Sequence, residues 1–179
     1  MAGREILMGV TGGIAAYKTA TLVSRLVQSG HSVTVAMTES ARQFIGEATF
    51  QALTGRPVCG QIFGRDQFPL GAHIHLAERA EILCIAPATA NCLAKLANGS
   101  ADDLLSTLYL AFTGPTLIAP AMNSDMWSKP SVQRNLNQLI EDGVHTVGPT
   151  TGWLSCRKQG AGRMSEPEDI LAAIQDLLS

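Results

Sequence analysis

The chain has 179 residues, 46% hydrophobic and 16% charged, with a net charge of −2 and a pI of about 6.1. That length suits one domain with a full core, and the near-neutral balance leaves no electrostatic footprint for nucleic acid. So apolar a composition points to a sheet covered on both faces, or to surface buried in an oligomer.

Strand and helix alternate along the chain. Ile6–Val10 is a short apolar run that reads as a first strand. Thr11-Gly12-Gly13 turns into a helical pattern from Ile14 to Ser29, closed by Gly30. Ser32–Met37 reads as the second strand, and Glu39 to Leu53 as one or two helices broken near Gly46. Gly55 to Ala72, with Pro57 and Pro69, reads as a loop. A third strand over Glu81–Ala86 is expected to end at Pro87. Helices follow over Ala90–Ala97 and Asp102–Phe112, then a strand at Thr116–Ala119. A helix over Ser131–Glu141, a last strand at Val144–Val147 and a closing helix over Glu166–Leu178 complete the pattern. Between the last two lies Gly148 to Met164, Gly-rich and without helical spacing, which reads as a hairpin flap over a site.

Alternation of this kind implies an α/β fold with a parallel sheet and right-handed crossovers. Ligands of such sheets bind beyond the carboxyl ends of the strands. The segments with chemical character follow strands one to four: Thr11-Gly12-Gly13, Thr38-Glu39-Ser40, Pro87 to Asn91, and Pro120 to Trp127. No run is apolar enough for a bilayer span, and the N-terminus lacks the parts of a signal peptide, so a cytoplasmic location is expected. Cys59, Cys84, Cys92 and Cys156 form no CxxC pair, so free thiols are expected and no metal. Cys84 sits in an apolar run, whereas Cys156 stands in a polar, Gly-rich segment.

Several residues carry two readings. The turn Gly9 to Ala15 opens a helix, and its backbone N–H groups suit a phosphate. It has neither GxGxxG nor the Gly-Lys-Ser/Thr of a P-loop, so a mononucleotide such as FMN fits better than NAD or ATP. It is also compatible with a plain tight turn. Thr38 and Ser40 either cap a helix or reach a ligand with their hydroxyls, and Thr89 and Asn91 share that ambiguity. His73 and His75 are two apart and share no helical face, which disfavours a metal pair there. In Pro120-Ala121-Met122-Asn123-Ser124-Asp125-Met126-Trp127, Asn123 offers an amide for a carboxylate, and Met126 and Trp127 offer apolar walls. A loop anchored by a buried Trp is the alternative.

Pro-x-Met-Asn-x-x-Met-Trp resembles the signature of the flavin-dependent cysteine decarboxylases. Four further elements follow the family's order: the Gly turn, His73-Ile74-His75-Leu76, Lys95 to Leu105, and Cys156, Gly160, Gly162 and Met164 of a substrate clamp. Asp103 stands where the family has Asn, and Arg157-Lys158 replaces Gly-Asp, which makes the flap more basic and puts its backbone geometry in question.

The resemblance implies a flavodoxin-like, Rossmann-like three-layer sandwich, in a single domain over residues 1–179 with a flap at about 148–164. It implies FMN held by Gly12, Gly13, Ile14, Thr38, Ser40, Phe44, Thr89, Asn91 and Asp102. It implies His73 as base, Asn123 on the substrate carboxylate or amide and Cys156 as acid, with Ala121, Met122, Met126 and Arg163 binding substrate. The expected reaction takes 4'-phospho-N-pantothenoylcysteine to 4'-phosphopantetheine in coenzyme A synthesis. A peptidyl-cysteine decarboxylase of lantibiotic type and a non-catalytic flavin-binding regulator stay open. Cys156 favours the coenzyme A reaction, because release of an enethiol needs no such acid. A homotrimer or multiple of trimers is implied, paired in function with a phosphopantothenoylcysteine synthetase. The chain ends at Ser179 just after its last helix, either free-standing or cut from a fusion with that synthetase.

Overall fold

The computed structural model describes residues 3–60 and 72–179. Five parallel strands form the central sheet: β1 (Glu5–Val10), β2 (Ser32–Met37), β3 (Ile82–Ala88), β4 (Thr116–Pro120) and β5 (His145–Thr146). Their order is β2-β1-β3-β4-β5, with Met8 paired to Val35 on one side and to Cys84 on the other. The helices are α1 (Ala16–Gln28), α2 (Glu47–Thr54), α3 (Ala72–Arg79), α4 (Ala90–Ala97), α5 (Leu104–Ala111), α6 (Ser124–Trp127), α7 (Pro130–Glu141) and α8 (Pro167–Leu177). A separate antiparallel hairpin joins β6 (Thr150–Trp153) to β7 (Gln159–Arg163).

β1, β3 and β4 are nearly continuously apolar because both faces of the sheet are covered there. Side chains alternate between two cores with the period of the strand. Ile6, Met8 and Val10 join Ile82, Cys84, Leu117 and Ala119 under α1, α2 and α8. Leu7, Leu83, Ile85 and Ile118 face the opposite core, against α3, α4, α5 and α7. The three-layer α/β sandwich and its parallel sheet are as expected. Burying each core leucine contributes roughly 1.5–3 kcal/mol, so the strand ends stand on a stiff base.

Several local features add to or differ from the expectation. Strand three runs through Pro87 to Ala88, with cis geometry at Ala86–Pro87. Proline lacks a ladder N–H, but here the pairing shifts register between Ile85 and Ala88, so none is needed at that point. The histidine segment is helix α3, with Ala72 and Leu76 buried four apart on its inner face. Ser124–Trp127 forms a single helical turn capped by Asn123. The last strand shrinks to His145–Thr146, both exposed, a short edge with few open ladder groups. The loop read over Gly55–Ala72 falls mostly on residues 61–71, outside the described residues. Among the described residues no helix is long and apolar enough to cross a membrane.

Candidate functional site

In a sheet of this order the chain leaves β1 toward β2 on one side and returns to β3 on the other. The crevice opens where those two directions part, beyond the ends of β1 and β3. Thr11, 2% exposed, bridges them. Its hydroxyl donates to the Pro87 carbonyl at 2.6 Å and accepts from the Thr89 N–H at 3.2 Å.

A cavity of about 310 Å³ lies at this point. Thr11, Thr38, Ser40, Thr89, Asn91 and Asp103 are among the residues that line it. Gly12 is glycine for a steric reason: a Cβ there would stand 2.6 Å from the Ser40 Cβ and 3.0 Å from its carbonyl carbon. The N-cap of α1, Ala15, offers no side-chain cap, and the first turn has no acidic residue, so the helix's amino end is receptive to an anion. Thr38 and Thr89 do cap, accepting from the N–H groups of Ala41 and Cys92, both at 3.3 Å. Both residues also line the cavity, so capping and ligand contact are not exclusive here. Gly13 stands 3.8 Å, measured from an added Cβ, from Pro87 and Thr89. Ile14 and Phe44 are exposed apolar surface, at 56% and 50%, together with Tyr17.

The far wall of the cavity is ionic. Lys95 donates to Asp103 at 2.7 Å and pairs with Asp102 at 2.8 Å. Bonds to both carboxylates hold the Lys95 ammonium's pKa above its ordinary value. Burial pushes Asp103 up, but Lys95 and two bonds from Ser106 outweigh it and leave the carboxyl below its usual range. Asp103 is also the N-cap of α5 in a reciprocal box with Ser106. Asp103 borders the cavity, whereas the Asp102 side chain is 64% exposed beside Lys95. Cys92 borders it too, its thiol pushed up to about 12 by burial and by the Asp103 charge, so it is neutral at physiological pH. Lys95, in the last turn of α4, and Ser106, in the first turn of α5, join this wall although neither is among the candidate site residues expected from the sequence.

A second group of residues meets beyond β4. The Ala121 N–H donates to the Ala88 carbonyl at 3.0 Å, and the Met122 N–H donates to the Gly162 carbonyl of β7 at 2.9 Å. Asn123 Oδ1 accepts from the Met126 N–H at 2.8 Å, which leaves its amide N–H₂ without a described acceptor. Met126 is 45% exposed. The hairpin presses close: Gly162 has φ +119, and a Cβ there would collide with the Met122 carbonyl oxygen. Lys158 reaches Asp125 at 3.8 Å across the same seam. Cys156 is exposed in the connecting turn. Its neighbour Arg157 takes a left-handed φ of +62, so the arginine does occupy a position that glycine suits better.

Arg163 donates to Glu166 at 2.6 Å. His73 lies in the first turn of α3, half-buried, with its Nδ1 enclosed and no hydrogen-bond partner among the described residues. It is not among the described lining of the cavity, and no described hydrogen bond joins it to Asn123 or Cys156. One chain thus brings together the cradle and, separately, the flap with the Asn123 loop.

Comparisons with known proteins match the whole chain. The Flavoprotein family model matches residues 1–179. A coenzyme A biosynthesis bifunctional protein CoaBC of Bacillus subtilis (strain 168) is 47% identical over 94% of this chain and 41% of its own length. The chain thus spans about two fifths of the curated relatives it matches. Among solved structures, the FMN-dependent cysteine decarboxylase SpaF is 35% identical with a TM-score of 0.85, covering 99% of both chains. A cysteine-to-serine variant of a PPC decarboxylase, complexed with pantothenoylaminoethenethiol, is 29% identical with a TM-score of 0.88 over 98% of both. A switch-point cradle on a sheet of this order, matched from the first residue to the last, means that the chain belongs to the Flavoprotein family.

Proposed function

We propose that this chain is an FMN-dependent decarboxylase that converts 4'-phospho-N-pantothenoylcysteine to 4'-phosphopantetheine in coenzyme A synthesis. The proposed unit is one domain over residues 1–179, with the hairpin region at about 148–164 as its substrate clamp. The observation that carries the reading is the bond from Met122 N–H to Gly162 O. It joins the loop bearing Asn123 to the hairpin bearing Cys156, so a carboxylate-holding amide and a proton-donating thiol belong to one assembly. The 47% identity to the CoaBC relative supports the same reading.

The residues fit FMN. The close approach at Gly12, the uncapped start of α1 and the hydroxyls of Thr38, Ser40 and Thr89 suit a phosphate and a polyol chain. Gly13, Ile14, Phe44, Asn91 and Asp102 are the further proposed contacts. FMN held there would supply reversible two-electron chemistry at the thiol-bearing carbon, with no net oxidation over the whole reaction.

The chain's own groups do the rest. His73 acts as base and takes the thiol proton as the carbon–sulfur bond becomes a thiocarbonyl. The Asn123 amide donates to the carboxylate and orients it without neutralising its charge. The carbon–carbon bond electrons flow toward the thiocarbonyl as carbon dioxide leaves, giving an enethiol. Cys156 then donates a proton as that double bond is reduced. Met126, Ala121 and Met122 form the wall beside the reacting carbons. Arg163 binds substrate by exchanging its Glu166 partner for it.

His73 is not among the described residues that line the cradle cavity, which favours a site completed by a second copy. A homotrimer or multiple of trimers, with FMN between subunits, is proposed, and the exposed Ile14, Tyr17 and Phe44 beside the cradle are surface for that contact. A functional pairing with a phosphopantothenoylcysteine synthetase and a cytoplasmic location complete the proposal.

The test is the visible spectrum of the purified protein, then product mass after adding 4'-phospho-N-pantothenoylcysteine. A yellow protein that yields phosphopantetheine is expected. Cys156→Ser should still release carbon dioxide but stop at the enethiol. A wild-type protein that stops there would instead act as a peptide-type decarboxylase. A colourless protein that recruits no FMN would overturn the flavoenzyme reading.

A further inference from the structure

One buried charge takes no part in the chemistry above. Lys18 lies on the inner face of α1, four and eight residues before Leu22 and Leu26, and is 5% exposed. An ammonium there must be hydrogen-bonded to be tolerated. Its Nζ donates to the Met164 carbonyl at 2.9 Å and to Glu166 Oε1 at 3.0 Å. Those acceptors are where β7 leaves the flap and enters α8. Glu166 also receives Arg163, and its carboxyl is held below the usual range, first by the Lys18 bond. The next residue, Thr19, donates to the Ala86 carbonyl of β3 at 2.7 Å. Consecutive side chains of one helix therefore grip the strand under the cradle and the base of the flap. The same helix opens at the Gly12-Gly13 turn.

We propose that Lys18 is a positioning residue that sets the flap against the Asn123 loop and thereby lets Cys156 reach the enethiol. The second half of this statement rests on the decarboxylase reading; the first does not. The chain of contacts is short. Lys18 holds Met164, two residues beyond Gly162, and Gly162 O receives the Met122 N–H. Without Lys18 the Met164 carbonyl loses its described side-chain donor in a buried place, and Glu166 keeps Arg163 and its capping bond at the start of α8. β7 then keeps the Met122–Gly162 bond, the close contacts of Gly160 and Gly162 with residues 122–124 and the buried Met164 side chain, but loses the tie at its base that faces α1. The hairpin should open about its base, while the cradle, held by Thr11 and Thr19, stays in place.

The test compares wild type with Lys18→Met, which keeps the length and removes the donors, and with Lys18→Arg, which keeps a donor and the charge. Hydrogen exchange at the Met122 amide should quicken at least tenfold in Lys18→Met and return most of the way in Lys18→Arg. The ratio of saturated product to carbon dioxide should fall at least tenfold in Lys18→Met, with enethiol accumulating. Glu166→Gln, at a largely exposed position, guards against misfolding of the first variant. It should move both readings in the same direction, by about threefold. Unchanged exchange at Met122 in a folded Lys18→Met protein, or in Glu166→Gln, would overturn the positioning role. A change in exchange with an unchanged product ratio would overturn its link to Cys156. If wild type releases no carbon dioxide, the decarboxylase reading fails, and exchange alone still decides whether Lys18 sets the flap.

Discussion

The cradle stands on β1 and β3, whose side chains are buried on both faces, whereas the flap from Thr150 to Arg163 buries only Leu154 and Gly162. In the cradle, each hydroxyl and glycine is placed by strands that cannot shift without opening two cores. The flap has no core of its own. It is placed by the Met122–Gly162 bond, the contacts of Gly160 and Gly162 with residues 122–124, and the ties at its base. An isolated two-stranded hairpin is at best marginally stable, so these ties decide where Cys156 goes. The difference suits the proposed roles. A cofactor is held in one geometry throughout, but a clamp must admit substrate and release product.

Breaking the cradle should have the largest effect. Gly12→Ala forces the Ser40 backbone to move and should weaken FMN binding by about 2 kcal/mol, roughly thirtyfold. Flavin absorbance retained through gel filtration measures it, and near-normal retention would refute the close-packing argument. Gly162→Ala breaks the flap instead. It combines an unfavourable φ with a collision at the Met122 carbonyl, at a local cost of about 1–2 kcal/mol. The hairpin should become more sensitive to protease while flavin retention stays high; a parallel loss of both would mean that the two regions are not separable.

A smaller effect sharpens the electrostatics of the cavity wall. Asp103 has its pKa depressed in the folded chain, so its contribution is present above the unfolded value near 3.9 and is lost as pH falls through the lower folded value. Asp103→Asn should therefore destabilise by about 1 kcal/mol at neutral pH, with the gap closing below about pH 4. Denaturant midpoints at a series of pH values give the answer, and a gap independent of pH would assign the effect to the cap alone. Smallest is Arg157→Gly. Relief of the left-handed strain, offset by the entropy of an added glycine, should stabilise the turn by about 0.5 kcal/mol. A lowered melting temperature would show that the Arg157 side chain makes an interaction worth more than its strain.

Much of the candidate site is legible in the sequence because its signals are local. The Gly12 turn, the hydroxyls after β2 and β3, Asn123 and Cys156 all lie within a few residues of a strand end or a glycine-rich turn. Lys18 was not singled out, although its place on the stripe of Leu22 and Leu26 was a visible oddity. What made it intelligible was Met164, far away in sequence. Pro87 misled for a related reason: whether a strand can pass through proline depends on the register of its neighbour, which only the assembled sheet supplies. The fold class, the strand-helix alternation and the hairpin followed from the sequence alone, because periodicity and turn residues act over a few positions. Tertiary structure decided the strand order, the pairing of Lys95 with Asp103 and the seating of Gly162 on Met122. Each of these depends on which distant backbones come within hydrogen-bond reach, and packing of the two cores determines that.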